Sequence, residues 1–153
     1  MVSGDELRAA MRRFPSGIGV LTLQRPFGVT VGSLVSLSLE PALVGVAIGK
    51  DTQAHELVRD EMGFALSLLA ADQEPLAKHF ARSMPPIALW EGIATRDGNR
   101  GPLLVDALAW LECAVRSEHD AGDHTFFVGE VEQIALGRER PALVYVRGGY
   151  AAA

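Results

Sequence analysis

"ALAWLECAVRSEHDAGDHTFFVGEVEQIAL", residues 107–136, holds two apolar runs, 107–117 and 125–136, on either side of a polar turn. Apolar runs bounded by turn residues are strands, and the short polar connection makes this pair a hairpin. Five further runs read the same way, at 18–23, 28–33, 43–48, 64–69 and 143–147. Helical signals are fewer and shorter. Ser3 and Glu6 have capping-box spacing, and Leu7, Ala10, Met11 and Phe14 recur at three and four residues, which predicts an amphipathic helix over 4–13 that stops at Pro15. Thr52 is placed to cap a helix over 53–60. Asp72 is placed to cap another over 73–81, with Leu76 and Phe80 on one face. Strands and long helices do not alternate as in a doubly wound sheet. The fold class is therefore mainly β, an antiparallel barrel with a few short helices. Residues 82–106 are rich in Pro and Gly and weakly periodic, and read as a loop covering a site, anchored by Trp90.

Composition narrows the function. The 153 residues, 48% hydrophobic, suit one globular domain over 1–153. The net charge is −5 and no basic cluster is longer than Arg12-Arg13, so a nucleic-acid partner is not expected. No apolar stretch approaches the roughly 18 residues of a membrane span, and no basic-then-apolar leader opens the chain, so the expectation is a soluble cytoplasmic protein without a membrane partner. Cys113 is the only cysteine, which leaves no intrachain disulfide or thiolate metal cage and suits a small buried strand residue. Glycine-rich dinucleotide fingerprints, a Gly-Lys-Ser/Thr loop and a Gly-x-Ser-x-Gly elbow are all missing. Any nucleotide must be held another way.

Two stretches could do so. "TVGSLVSLSLEP", residues 30–41, carries Ser33, Ser36 and Ser38, with Ser36 and Ser38 two apart on one strand face. Its hydroxyls and amides could meet a polar ligand, or the stretch could be a polar edge facing water. "VAIGKDTQAHEL", residues 46–57, ends a strand at Gly49-Lys50 and enters a helix at Thr52. Unpaired amides, a cation and a hydroxyl at a helix N-terminus suit a phosphate monoester, although an ordinary turn with a solvated lysine has the same letters. The histidines at 55, 79, 119 and 124, with Asp120 and Asp123, raise a metal reading; the polar turn "EHDAGDH" is the plainer explanation, and no metal site is expected. His55 and His79 read as surface residues.

Taken in order, "RRFPSGIGVLT", "TVGSLVSLSLEPALV", "AIGKDTQAHEL", "FALSLLAADQEPLAKHFA", "PLLVDALAWLECAV", "GDHTFFVGEV" and "ALVYVRGGY" resemble the flavin reductase-like family over nearly the whole chain. The resemblance implies an antiparallel Greek-key split barrel of the FMN-binding type. It implies an NAD(P)H:flavin oxidoreductase that moves a hydride from NADH or NADPH to FMN or FAD and supplies reduced flavin to a separate flavin-dependent monooxygenase. A homodimer is implied as well. By the same resemblance Thr30, Val31, Gly32 and Ser33 line one edge of the isoalloxazine, and Ser36, Leu37 and Ser38 another part of the flavin site. Lys50, Thr52 and Gln53 fall at the flavin phosphate, and Phe80 where the segment after the second helix nears the flavin. His124 stands at the Gly-Asp-His position beside the nicotinamide as the catalytic residue, with Asp123 setting the turn and Tyr150 near the same pocket. Gly32, Val35 and Ala54 depart from the family's frequent asparagine, threonine and hydroxyl residue, which implies a more loosely held flavin. The competing expectation is a flavin- or haem-binding module on the same barrel without reductase turnover.

Overall fold

In the computed structural model, which describes residues 1–153, the chain opens with helix α1 (Gly4–Met11) and the short strand β1 (Ser16–Gly17). Strands β2 (Gly19–Leu23), β3 (Phe27–Val31), β4 (Val35–Leu39) and β5 (Ala42–Gly49) follow, then helix α2 (Gln53–Glu61) and strand β6 (Gly63–Leu68). A 3-10 turn at Ala71–Gln73 leads into α3 (Glu74–Phe80); α4 (Pro86–Trp90) precedes the short strands β7 (Thr95–Arg96) and β8 (Leu103–Leu104). The long strands β9 (Ala109–Ala121) and β10 (His124–Leu136) form the expected hairpin, and β11 (Leu143–Val146) and β12 (Gly149–Ala152) end the chain.

Only Gly122 and Asp123 connect β9 to β10. Gly122 takes φ 68° and Asp123 a negative φ, the type II′ pattern whose twist matches that of the flanking strands. The hairpin sits inside a seven-stranded antiparallel sheet of order β3-β2-β6-β9-β10-β5-β4. Val31 of β3 and Val46 of β5 share one buried cluster with Leu21, Phe64, Val58 and Phe127, so the sheet closes around its core and is left without hydrogen bonds between β3 and β4. Helix α2 plugs that core through Ala54, Leu57 and Val58; Thr52 caps it by accepting the His55 amide at 3.3 Å. A second sheet, β1-β11-β12, and helices α3 and α4 share another cluster that includes Ile18, Leu69, Phe80, Leu104 and Leu143. Cys113 is fully buried in the main core, where desolvation pushes its thiol up to about 12. No helix is long and apolar enough to cross a membrane.

All seven expected strands are present, and several expectations need correction. Residues 82–106 are not a structureless loop: Pro86 opens α4, β7 and β8 pair, and half-buried Trp90 packs on Phe80 with ring centroids 5.2 Å apart. Asp72 does not cap α3 but accepts from Arg140 at 3.2 Å, since the 3-10 turn displaces the helix start to Glu74. The α1 capping box forms as read, yet no α1 residue is buried, and its apolar stripe of Leu7 and Met11, with Phe14 beyond the helix end, faces away from the rest of this chain. Helix α1 is held at its end instead, where the Arg147 amide donates to the Arg12 carbonyl at 2.6 Å and the Arg12 guanidinium donates to the Arg147 carbonyl at 3.1 Å. β1, β4, β7, β8 and β12 lie outside the seven strand runs read from the sequence. Four of them are two to four residues long, too short to show a period; β4 is interrupted by a bulge between Ser36 and Ser38 that breaks the alternation and leaves Ser36 exposed and Ser38 half-buried.

Gly129 of β10 lets the hairpin press against β6. A methyl group there would stand 2.9 Å from Phe64 Cζ and 3.0 Å from Cys113 Cβ, both fully buried. Gly129→Ala should therefore overpack the core and cost about 1–3 kcal/mol, read as a lower urea midpoint at unchanged slope.

Candidate functional site

The site is built where β5, α2 and β10 meet. β5 ends at Gly49, and Lys50, Asp51 and Thr52 carry the chain into α2. The Lys50 amide donates to the Asp123 carbonyl at 2.9 Å, which locks this junction to the β9–β10 turn. Thr52 Oγ1 donates to the Gly49 carbonyl at 2.8 Å while capping the His55 amide. The amides of Gln53 and Ala54 find no acceptor within the protein and remain available at the helix N-terminus.

These residues form one wall of a cleft of ≈ 340 Å³. Phe27, Gly28 and Val29 of β3 form the second wall, and residues 80–84 with Leu89 the third. Phe27, Val29, Phe80, Met84 and Leu89 are apolar, whereas Asp51, Thr52, Gln53, Arg82 and Ser83 are polar and cluster toward α2 and the segment after α3. Gly28 is required for this packing, because a methyl group there would lie 2.9 Å from the Phe80 ring. Volume and mixed lining suit a small organic ligand with one anionic end, and the free amides beside Arg82 suit a phosphate.

His124 opens β10 directly opposite Gly49. A methyl group on Gly49 would stand 3.2 Å from Asp51 Oδ1, 3.3 Å from Thr52 Cγ2 and 3.9 Å from His124 Nε2, so the imidazole and the α2 entrance lie close together on either side of Gly49. Nδ1 of His124 lies 2.7 Å from Asp123 Oδ1. The carboxylate can only accept, so Nδ1–H donates and Nε2 is left to the half-exposed outer side. This hydrogen bond, followed by the charge of the protonated ring, holds the Asp123 carboxyl below the ordinary aspartate value.

Of the residues read from the sequence, Thr52, Gln53 and Phe80 line this cleft, and His124 adjoins it. Lys50 adjoins it too, but its ammonium pairs with Asp120. The others lie along β3, β4 and the connection between them, with Tyr150 on β12. Thr30 donates its hydroxyl to the Ala77 carbonyl at 2.6 Å, and Val31 is buried beside it. Ser33 Oγ donates to the Ala47 carbonyl at 2.8 Å and accepts the Ala47 amide at 3.1 Å, so its hydroxyl stitches the β3–β4 connection to β5. Ser36, Leu37 and Ser38 lie along the edge strand β4. Gly32 faces Ser16, Ser16 pairs with Tyr145, and Tyr145 pairs with Tyr150, which meets it edge-on at 5.1 Å; burial raises the Tyr150 phenol. An apolar cleft of ≈ 210 Å³ between Gly17–Gly19 and Leu34 lies beside this group.

Sequence reasoning missed Arg82 and Ser83, which follow the α3 end and face the cleft. The signal was a cation and a hydroxyl two and three residues past Phe80, in a segment already read as covering a site. It also misplaced two histidines. His55 is 5% exposed, and half-buried His79 lies with Nε2 2.6 Å from the Leu89 carbonyl, because each ring finds a partner inside that satisfies it. His119 stays exposed beside Ser117. No three His, Cys, Asp or Glu side chains converge as a metal cage would need.

Comparison with known proteins gives this arrangement a context. Residues 11–153 match the family model described as a flavin reductase like domain. The chain is 35% identical over 151 residues to the NADH-dependent FAD reductase of Streptomyces globisporus, covering 95% of this chain and 83% of that protein. It is 36% identical over 149 residues to the reductase component of 4-hydroxyphenylacetate 3-monooxygenase from Thermus thermophilus, covering 95% and 94%. The crystal structure of an NADH:FAD oxidoreductase of Streptomyces globisporus in complex with NAD and FAD fragments superposes with a TM-score of 0.92 at 33% identity, over 99% of this chain and 94% of that one. With a matching family model over nearly its whole length, relatives above 30% identity and the same closed antiparallel sheet, the chain belongs to the flavin reductase-like domain family.

Proposed function

We propose that this protein is an NADH-dependent flavin reductase that reduces FMN or FAD and passes the reduced flavin to a separate flavin-dependent monooxygenase. The observation that carries the reading is the convergence, around Gly49, of a cleft with free α2 amides and Arg82 on one side and the outward Nε2 of His124 on the other. The chemistry supplied by the two ligands is hydride transfer from nicotinamide C4 to flavin N5, which depends on holding two rings face to face. The protein's part is to bind and orient. Gln53 and Ala54 amides, the Ser83 hydroxyl and Arg82 hold the flavin phosphate, while Thr52 caps α2 behind them, and Phe80 with Val29 forms apolar walls nearby. The Gly32–Ser38 segment and Tyr150 line the flavin ring and the nicotinamide, using backbone groups because the Thr30 and Ser33 hydroxyls are already engaged. His124 holds the nicotinamide nucleotide through Nε2, with the ring fixed by Asp123.

A chain that draws on the cellular NADH pool and shares diffusible flavin with a partner suits the cytoplasm. A homodimer completes the reading. Leu7, Met11 and Phe14 are 58, 52 and 68% exposed, and β4 presents Val35, Leu37 and Leu39 on an unpaired edge. Such surfaces are normally covered, and a second copy of the chain covers both.

The decisive experiment is NADH oxidation measured with added FMN, FAD and riboflavin; flavin binding without turnover would return the protein to the non-reductase module. His124→Ala should leave flavin affinity nearly intact while slowing flavin bleaching in stopped flow or raising KM for NADH, because its contacts form with the reductant. A parent rate and KM would reduce the histidine to a turn residue. Lys50→Ala should weaken FMN far more than riboflavin, by about 1–3 kcal/mol, as the ammonium exchanges Asp120 for the phosphate. Equal weakening of both flavins in a titration would remove Lys50 from the phosphate site. Light scattering at micromolar concentration should give twice the 16.4 kDa chain mass, and a monomer mass would defeat the dimer.

A further inference from the structure

Buried polar side chains cost free energy unless they are paired, and two of them lie side by side under the site. His55 is 5% exposed and Thr125 6%. Nε2 of His55 is 2.7 Å from Thr125 Oγ1, and Nδ1 is 3.1 Å from the Glu56 carboxylate. Glu56 can only accept, so Nδ1 carries a proton; in the neutral ring Nε2 then accepts the Thr125 hydroxyl. The edge of the Phe127 ring packs against the same imidazole at 5.6 Å.

This pair closes a circuit. His124 pairs with Gly49 across β10 and β5. The Gly49 carbonyl accepts from Thr52 Oγ1, which accepts from the His55 amide. The His55 ring grips Thr125, the covalent neighbour of His124. Successive strand residues point to opposite faces, so Thr125 is held from inside the barrel while His124 projects outside. An apolar pair of similar size would fill the same space but would not fix the strand mouth along the hydrogen-bond direction.

We infer that His55 is a positioning residue: through Thr125 it fixes the start of β10 against α2 and so sets where His124 Nε2 stands relative to the flavin cleft. This rests on the reading of His124 as the group that meets the nicotinamide. The His55 amide keeps its bond to Thr52 whatever side chain it carries, so α2 stays capped and the phosphate end of the site is unaffected by side-chain replacement.

The test is stopped-flow flavin reduction by NADH, with flavin titration and thermal unfolding, on His55→Leu, His55→Gln, Thr125→Val, the His55→Leu/Thr125→Val double variant and His124→Ala. The expected result is that His55→Leu and Thr125→Val each slow flavin reduction or raise KM for NADH on the order of ten-fold, with flavin Kd changed by less than about two-fold. The double variant should be no worse than the poorer single one, because both remove the same link. His55→Gln, whose amide reaches the Nε2 position, should recover most of the loss. A His55→Leu protein with the parent rate and KM, or losses that multiply in the double variant, overturns the inference. Thr125→Val removes the link with almost no change of volume and decides the matter should His55→Leu fail to fold. A parent-like His124→Ala would bring down the reading of His124 and the role of His55 with it, whereas a slow His124→Ala beside a parent-like Thr125→Val would bring down His55 alone.

Discussion

The two-residue turn at Gly122-Asp123 is the constraint from which the site follows. A II′ turn pairs Ala121 with His124, and the ladder behind them keeps that register as far as Val128 opposite Ser117, which turns Thr125 and Phe127 inward before a bulge shifts the pairing. On its other side β10 pairs with β5, which puts His124 opposite Gly49 at the point where that strand gives way to a helix N-terminus. The Lys50 amide then closes on the Asp123 carbonyl. One turn thus joins His124 to the N-terminus of α2 without any residue having to reach across the molecule.

Around that constraint the polar groups divide their work. Thr30, Ser33 and Thr52 use their hydroxyls inside the protein, tying a strand to α3, a connection to β5 and a strand end to α2. Hydroxyls committed in this way leave backbone amides as the donors most available to a ligand. That division favours shape and backbone over side-chain chemistry, which agrees with a reaction that needs orientation more than acid or base.

The barrel was legible because its main strands are long apolar runs separated by turns, and Thr52 was legible because N-capping is a local event. The two-residue strands were not, since pairing of Thr95–Arg96 with Leu103–Leu104 depends on tertiary contacts rather than on a period. His55 was misread for a related reason. Its surroundings on α2 are polar in sequence, and only the approach of Thr125 from seventy residues away makes a buried site for it. Arg82 was visible as a letter, but its direction depends on where α3 ends. Lys50 shows the reverse: its place at the strand end was read correctly, while Asp120, which holds its ammonium, belongs to a strand that only the fold brings near.

The buried thiol of Cys113 acquires meaning from what such an enzyme releases. Reduced flavin set free in aerated solution reacts with dioxygen and generates hydrogen peroxide close to the protein that made it. Peroxide attacks thiolates, and susceptibility follows thiolate character and exposure. Fully enclosed, with its proton held up to about 12, the chain's single cysteine presents neither. The packing of Gly129 against Phe64 and Cys113 therefore also keeps this thiol out of reach of such an oxidant.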